Sequence, residues 1–85
     1  MNQAIHFPDD ERWDDAKQCV VFRALVGGVL LHCALPFESM RQRFGANTTE
    51  QCLALFRQHR WDLEEEVEVL IAQDGEGEDG WFTLS

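Results

Sequence analysis

The chain has 85 residues and a net charge of −9. Its length is enough for one hydrophobic core, so we expect residues 1–85 to form a single domain. Its 16 acidic residues outnumber the 7 basic ones, so the phosphates of nucleic acids and anionic lipid surfaces repel it. The charge balance therefore argues against nucleic acids and membrane surfaces as partners.

A short edge strand at residues 5–7 is the first predicted element. Its apolar side chains alternate with a histidine directly before Pro8, and proline confines a strand to the edge of a sheet. The acidic run at 9–15 follows and contains one large apolar residue, Trp13. We predict a loop that this indole holds against the domain.

Residues 18–35 predict an antiparallel hairpin. Two apolar runs flank Gly27-Gly28, and glycine readily adopts the positive φ angles of a two-residue turn. This turn creates one entirely apolar face, with the pairs Val26–Val29, Ala24–Leu31, Phe22–Cys33 and Val20–Leu35. The other face pairs Arg23 with His32 and is expected to be the wetter one. A slip of one residue would bury both of these side chains, so the register is well determined.

Two helices are predicted after the hairpin. A short helix is predicted at about 37–44, with Gly45 as its C-terminal stop. Thr48 then provides an N-cap, and Gln51 three residues later completes a capping box. Beyond this helical region, a linker of glycine and acidic residues leads to a short strand at 81–84.

The capping box begins a long amphipathic pattern. Apolar side chains recur at helical spacing, at Leu53, Phe56, Leu63, Val67 and Leu70. Because the phase of this pattern is unbroken, we predict one continuous helix at about 49–73, with Arg60 at the single missing step. A competing interpretation breaks the helix near Trp61 and begins a second one with Asp62 as its N-cap.

These elements predict an α+β fold. A small antiparallel sheet, built from the central hairpin at 18–35 and short strands at 5–7 and 81–84, packs against one long helix at about 49–73 and a short helix at about 37–44. The helix residues expected to face the sheet are Leu53, Phe56, Leu63, Val67 and Leu70, and the sheet residues are Val20, Phe22, Leu31 and Cys33.

The cysteines and the chain start indicate a cytoplasmic protein. Cys19, Cys33 and Cys52 show no metal-ligand spacing, so we expect free thiols, as in a reducing compartment. The N-terminal stretch lacks both the basic and the apolar part of a signal peptide. Arg23 interrupts the longest apolar stretch, so no membrane span is predicted.

No catalytic or metal site can be assembled from the sequence. The three histidines lie on different predicted elements, and no HExxH or nucleophile motif is present. The glutamates between residues 64 and 68 are expected to form a solvated helix face, because paired carboxylates catalyse reactions only where a cleft separates their pKa values. We therefore assign no catalytic residue, metal ligand or cofactor.

The candidate partner-binding residues are Trp61, Arg57, Arg60 and His59. Arg60 occupies a core-facing step, where its stem can lie along apolar side chains while its guanidinium reaches an acid or a carbonyl. Its predicted role is structural anchoring. Trp61 lies off the apolar stripe, so it either packs under a second element or is exposed beside Arg57, which is typical of an interface hot spot.

Three segments also carry a resemblance. "MNQAIHFPD", "CVVFRALVGGVLLHCAL" and "FRQHRWDLEEE" resemble a family of short bacterial proteins known as domain of unknown function number 1488, the YrdB-like proteins. The resemblance covers nearly the whole chain and implies a compact α+β fold in a bacterial cytoplasm. It implies no activity, ligand or catalytic residue.

The leading functional hypothesis is a non-enzymatic accessory or protein-interaction domain, present as a monomer or a weak homodimer. An alternative is a small ligand-binding protein or enzyme that uses His32, Arg23 and His59, which predicts a pocket containing at least two of them. A weaker alternative is single-stranded nucleic-acid binding through Trp61 beside arginine side chains, which the net charge of −9 disfavours.

Overall fold

Eight elements follow one another along residues 5–85, the part of the chain that the computed structural model describes. They are β1 (Ile5–His6), β2 (Arg12–Asp14), β3 (Cys19–Val26), β4 (Val29–Pro36), α1 (Phe37–Phe44), α2 (Thr49–Gln58), α3 (Arg60–Ala72) and β5 (Phe82–Thr83). Residues 1–4 lie outside the described part. The predicted single domain and the stretch considered for a signal peptide therefore fall partly outside it. The α+β class is confirmed.

The β3–β4 hairpin forms as predicted. Gly27 and Gly28 have φ angles of 56° and 84°, so both occupy the left-handed region that a two-residue turn requires. All four predicted pairs of the apolar face are observed, although Val29 beside the turn is 58% exposed. Arg23 pairs with His32 on the other face. The turn and the alternation of apolar residues therefore fix this register.

An open five-stranded sheet surrounds the hairpin, in the order β1-β3-β4-β5, with β2 also paired to β3. The predicted short strands at both ends of the chain are confirmed. The prediction of a wholly antiparallel sheet is wrong, however, because β5 lies parallel to β4, with Cys33 opposite Phe82. The helices between β4 and β5 provide the long crossover that two parallel strands need.

Part of the predicted acidic loop is also a strand. In β2, Trp13 pairs with Val20, so β1 and β2 occupy the two ends of one edge of β3. The loop prediction is wrong here because the backbone partner comes from β3, whereas the acidic sequence has no apolar alternation of its own. Trp13 does pack against the core, with its ring centroid 6.1 Å from that of Phe37.

The predicted continuous helix is broken at His59, whose φ of −103° and ψ of 19° separate α2 from α3. The competing interpretation places a break near Trp61, two residues from the observed one, but its restart with Asp62 as the N-cap is wrong, because α3 begins at Arg60. Helical phase persists because the His59 N–H donates to the Leu55 carbonyl at 2.9 Å, and the His59 carbonyl accepts from the Leu63 N–H at 3.1 Å. One non-helical residue therefore leaves the apolar stripe intact.

The local helix signals are confirmed. Gly45 ends α1 with a φ of 75°. At the start of α2, the Gln51 N–H donates to the Thr48 hydroxyl at 3.1 Å. The Gln51 side chain in turn accepts from the Asn47 N–H at 2.7 Å, one residue earlier than in a standard capping box.

The main core lies between the sheet and the helices. Phe56, Leu63 and Val67 are buried against the hairpin, as predicted, whereas Leu53 and Leu70 are half-buried at its margin. Other core members are Val20, Phe22, Ala24, Cys33, Leu35, Met40, Ala46, Cys52, Phe82 and Leu84. No helix within residues 5–85 has the length and apolarity that a membrane span requires.

The outer face of the hairpin is drier than predicted. Cys19, Val21 and Ala34 form a second buried cluster there, against which Trp81 packs. The Trp81 ring also stacks on His32, with a centroid distance of 4.9 Å. The prediction failed because the linker before β5 brings this indole over the sheet, a long-range contact that strand alternation does not reveal.

Candidate functional site

Arg60, the first residue of α3, anchors the helix to the segment between β1 and β2. Its Nη1 lies 2.7 Å from Oε1 of Glu11, and its Nε lies 2.9 Å from Oε2 of Glu64. Nη2 is 3.0 Å from Oδ1 of Asp9 and donates to the Pro8 carbonyl at 3.1 Å. The guanidinium thus reaches both acids and a carbonyl, which confirms the predicted anchoring contacts.

Glu11 joins the two sides of the helix break. Its carboxylate accepts from Arg57 Nε of α2 at 2.8 Å and from Arg60 of α3, while its side chain is only 8% exposed. Burial alone raises the pKa of Glu11, but the hydrogen bonds from Arg57 and Arg60 outweigh it and lower the pKa from 4.5 to about 2. Glu11 is therefore ionised at neutral pH and holds α2 and α3 in one orientation.

The break also creates a surface concavity. It has a volume of about 430 Å³ and is lined by the six residues from Arg57 to Asp62, which we call the elbow. The His59 ring stacks on Phe44 of α1 with a centroid distance of 4.2 Å and an interplanar angle of 11°. Trp61 is 83% exposed, so of the two predicted alternatives the structure shows the exposed one.

The structure does not bring the alternative ligand-binding residues together. Arg23 and His32 are cross-strand neighbours, but Arg23 forms an ion pair with Asp10 whereas His32 stacks on Trp81. His59 lies in the helical layer on the other side of the sheet and lines the elbow concavity without either of them. The predicted pocket containing at least two of these three residues is therefore not formed at the elbow.

Ion pairs engage all of the arginines considered for nucleic-acid binding. Six of the seven basic side chains lie within 4.0 Å of a carboxylate, in the pairs Lys17–Asp79, Arg23–Asp10, Arg41–Glu38, Arg43–Glu66, Arg57–Glu11 and Arg60–Glu11. A phosphate backbone would have to compete with these internal carboxylates for its contacts. This arrangement gives no support to the nucleic-acid alternative.

The three cysteines are free thiols, as predicted, and all three are buried. Burial raises the pKa of all three, and that of Cys33 to about 12. Within residues 5–85, no cluster of His, Cys, Asp and Glu side chains could hold a metal ion. The thiols therefore lie in the core, where burial disfavours the reactive thiolate form.

Thiol labelling tests this assignment. Because the thiolate is the nucleophile, we expect the folded protein to react with Ellman's reagent at pH 8 more than about a hundredfold slower than the chain in urea. The unfolded chain, as the control, should release three equivalents of the coloured product, one for each cysteine. Reaction of the folded protein at the rate of free cysteine would contradict the burial.

Glu11 is a member of the site that the sequence alone does not distinguish. Its acidic neighbours Asp9, Asp10, Asp14 and Asp15 look equivalent to it in the sequence. Only the bend between β1 and β2 singles it out, by turning this carboxylate towards the elbow. The one available signal was the pair of arginines three residues apart, which share one helix side and predict an acidic partner.

Comparisons with known proteins agree on one family. The model of a family described as "Protein of unknown function (DUF1488)" matches residues 5–84. The uncharacterized protein YrdB of Escherichia coli K12 is 58% identical over 84 residues, covering 99% of both chains, and that of Shigella flexneri is 57% identical. A crystal structure of a DUF1488 protein of unknown function from Shewanella loihica superimposes with a TM-score of 0.91 at 31% identity, covering 99% of this chain and 94% of that one.

Proposed function

Because the chain belongs to the DUF1488 family of proteins of unknown function, we propose a role for this member from its own site: a non-enzymatic domain that binds a partner protein through the elbow. The observation that carries this proposal is the 83% exposure of Trp61 at a concavity. Tryptophan is among the residues most enriched in interface hot spots, because it buries a large area at little cost in side-chain entropy.

The contacts of the surrounding residues support the same role. Glu11 fixes Arg57 and Arg60 on either side of the break, and His59 stacks on Phe44. A partner would therefore meet a surface that is already ordered. Preorganisation of this kind favours affinity, since little conformational entropy is lost when the complex forms.

The proposal includes a cytoplasmic location and a monomeric state for the free protein. Cys19, Cys33 and Cys52 are buried as free thiols, which fits a reducing compartment. The net charge of −9 makes two copies repel each other, which supports a monomer. Sedimentation of the purified protein at low and high salt tests the monomeric state, and a stable dimer would contradict it.

Quantitative affinity capture from a bacterial lysate tests the proposed role of the elbow. We expect Trp61→Ala to lose the proteins that the wild-type domain retains, because truncation removes the anchor of the interface. Val29→Ala is the matched control, since Val29 is also a largely exposed apolar residue but lies at the hairpin turn. Recovery of the same proteins with Trp61→Ala as with wild type would refute the role of the elbow.

A further inference from the structure

The outward side of α3 continues the elbow surface. Trp61, Glu65 and Glu68 lie four and seven residues apart, so they share one side of the helix, and all three are exposed. Asp62 and Val69 flank this row and are exposed too. We call these five residues the outer α3 face. It combines one large aromatic ring with three carboxylates.

The carboxylates of this face differ from their neighbours on the same helix. Glu64 and Glu66, at the flanks, form ion pairs with arginine side chains of the domain. No ion pair that the structure describes in residues 5–85 involves Asp62, Glu65 or Glu68. The two flanking glutamates therefore form ion pairs within the domain, whereas the three outer carboxylates can pair with a partner.

The basic neighbour of Trp61 does not offset this negative charge. Arg57 pairs with the Glu11 carboxylate at 2.8 Å, which Arg60 shares, so its guanidinium is directed to a group within the domain. The outer α3 face itself carries three carboxylates and no basic side chain. Its charge is therefore negative, which favours cationic groups.

We infer that the outer α3 face binds a basic segment of a partner protein. An arginine or lysine of that segment stacks on the Trp61 ring, the side chain best suited to cation–π contacts. Further basic side chains pair with Glu65 and Glu68 on the next two turns. This inference rests on the proposed function, since it assumes that Trp61 is the point of contact. The charge complementarity specifies the chemistry of the partner.

A titration followed by NMR tests the chemistry directly. The probe is a short synthetic helical peptide of arginine, leucine and alanine, compared with a neutral peptide in which glutamine replaces each arginine. We expect the cationic peptide to shift the Trp61 indole N–H signal and to bind about tenfold more tightly at low salt than the neutral one. The signal is identified by its absence from Trp61→Phe. Equal binding of both peptides, or no shift at Trp61, would overturn the inference.

Two charge-matched variants locate the binding site. The double variant Glu65→Gln, Glu68→Gln should weaken binding of the cationic peptide about threefold to tenfold, because exposed pairs each contribute modestly. Glu76→Gln, Glu78→Gln removes the same charge from the exposed linker before β5 and should leave affinity nearly unchanged. Equal weakening by both double variants would indicate attraction by net charge alone and would overturn the inference.

Capture from lysate separates this inference from the proposed function. Loss of the same retained proteins with Trp61→Ala and with Glu65→Gln, Glu68→Gln supports both. Loss with Trp61→Ala alone refutes the basic partner and leaves the elbow as a binding surface. Retention of every protein by Trp61→Ala refutes the proposed function, and with it the premise of the inference.

Discussion

Replacing Phe56 by alanine is expected to lower the free energy of unfolding by about 3–5 kcal/mol, the range for a buried phenylalanine that leaves a cavity. Phe56 is 1% exposed, and its ring centroid lies 4.8 Å from that of Phe22 in the hairpin. The Arg60 guanidinium lies 5.6 Å from the same ring. Truncation therefore removes contacts between α2 and the sheet and takes away the apolar surface beneath the anchoring arginine.

Urea unfolding followed by circular dichroism measures this effect. Val69→Ala is the matched control, because Val69 belongs to the neighbouring helix α3 but is 53% exposed. We expect the control to change stability by less than about 0.5 kcal/mol, as is usual for surface positions. A loss below about 1 kcal/mol for Phe56→Ala would contradict the observed packing, because removing a buried phenylalanine ring destabilises a core by more than that.

Neutralising Glu11 is expected to have the second large effect. The fall in its pKa from 4.5 to about 2 corresponds to about 3 kcal/mol of stability at neutral pH. Glu11→Gln keeps the shape of the side chain but leaves Arg57 and Arg60 facing a neutral amide. We therefore expect a destabilisation on the order of 3 kcal/mol at pH 7, measured by urea unfolding.

The pH dependence of this loss has a definite sign. The pKa of Glu11 is lower in the folded chain than its ordinary value of 4.5, so its ionised form stabilises the fold fully above about pH 4.5. That stabilisation disappears as the pH falls from about 4.5 towards 2. We expect the difference in stability between wild type and Glu11→Gln to shrink over this interval.

Glu38→Gln provides the control for the Glu11 experiment. Glu38 also pairs with an arginine, Arg41, but this pair lies exposed on α1. Solvent screening weakens such pairs, so we expect little change in the urea midpoint at pH 7. A Glu11→Gln effect as small as that of Glu38→Gln would show that the carboxylate does not hold the two helices together.

The hairpin and the helix caps could be predicted because their determinants are local. Gly27-Gly28 permits one turn geometry, and a one-residue slip would move Arg23 into the core, so a short stretch of sequence specifies the register. Thr48 caps α2 for a similarly local reason, since its hydroxyl reaches the Gln51 N–H within one turn.

Elements that depend on distant partners could not be predicted. β2 exists because the open edge of β3 pairs with it, and the parallel direction of β5 follows from the crossover of the helical layer. The break at His59 was hidden because one non-helical residue preserves the apolar phase between Phe56 and Leu63. Periodicity reports which side of a segment is buried, but it does not report whether the backbone is continuous.

The candidate site divides in the same way. Arg60 could be identified because a long cation interrupts an apolar stripe, and such a residue needs an acid or a carbonyl as its partner. Its principal acid, Glu11, could not be identified, because the bend that selects it is tertiary. The exposure of Trp61 cannot be decided from the sequence for the same reason, since it depends on whether a second element lies over the indole.

The ion pairs of Glu11 also determine which fragments can represent this surface. They connect positions 46 and 49 residues apart in the chain, so part of what holds α3 relative to α2 lies outside both helices. A synthetic peptide spanning residues 49–73 would contain Trp61 and every carboxylate of the outer α3 face, but not the acid that holds the break. Such a peptide therefore lacks the Glu11 contacts to Arg57 and Arg60, which the folded domain retains.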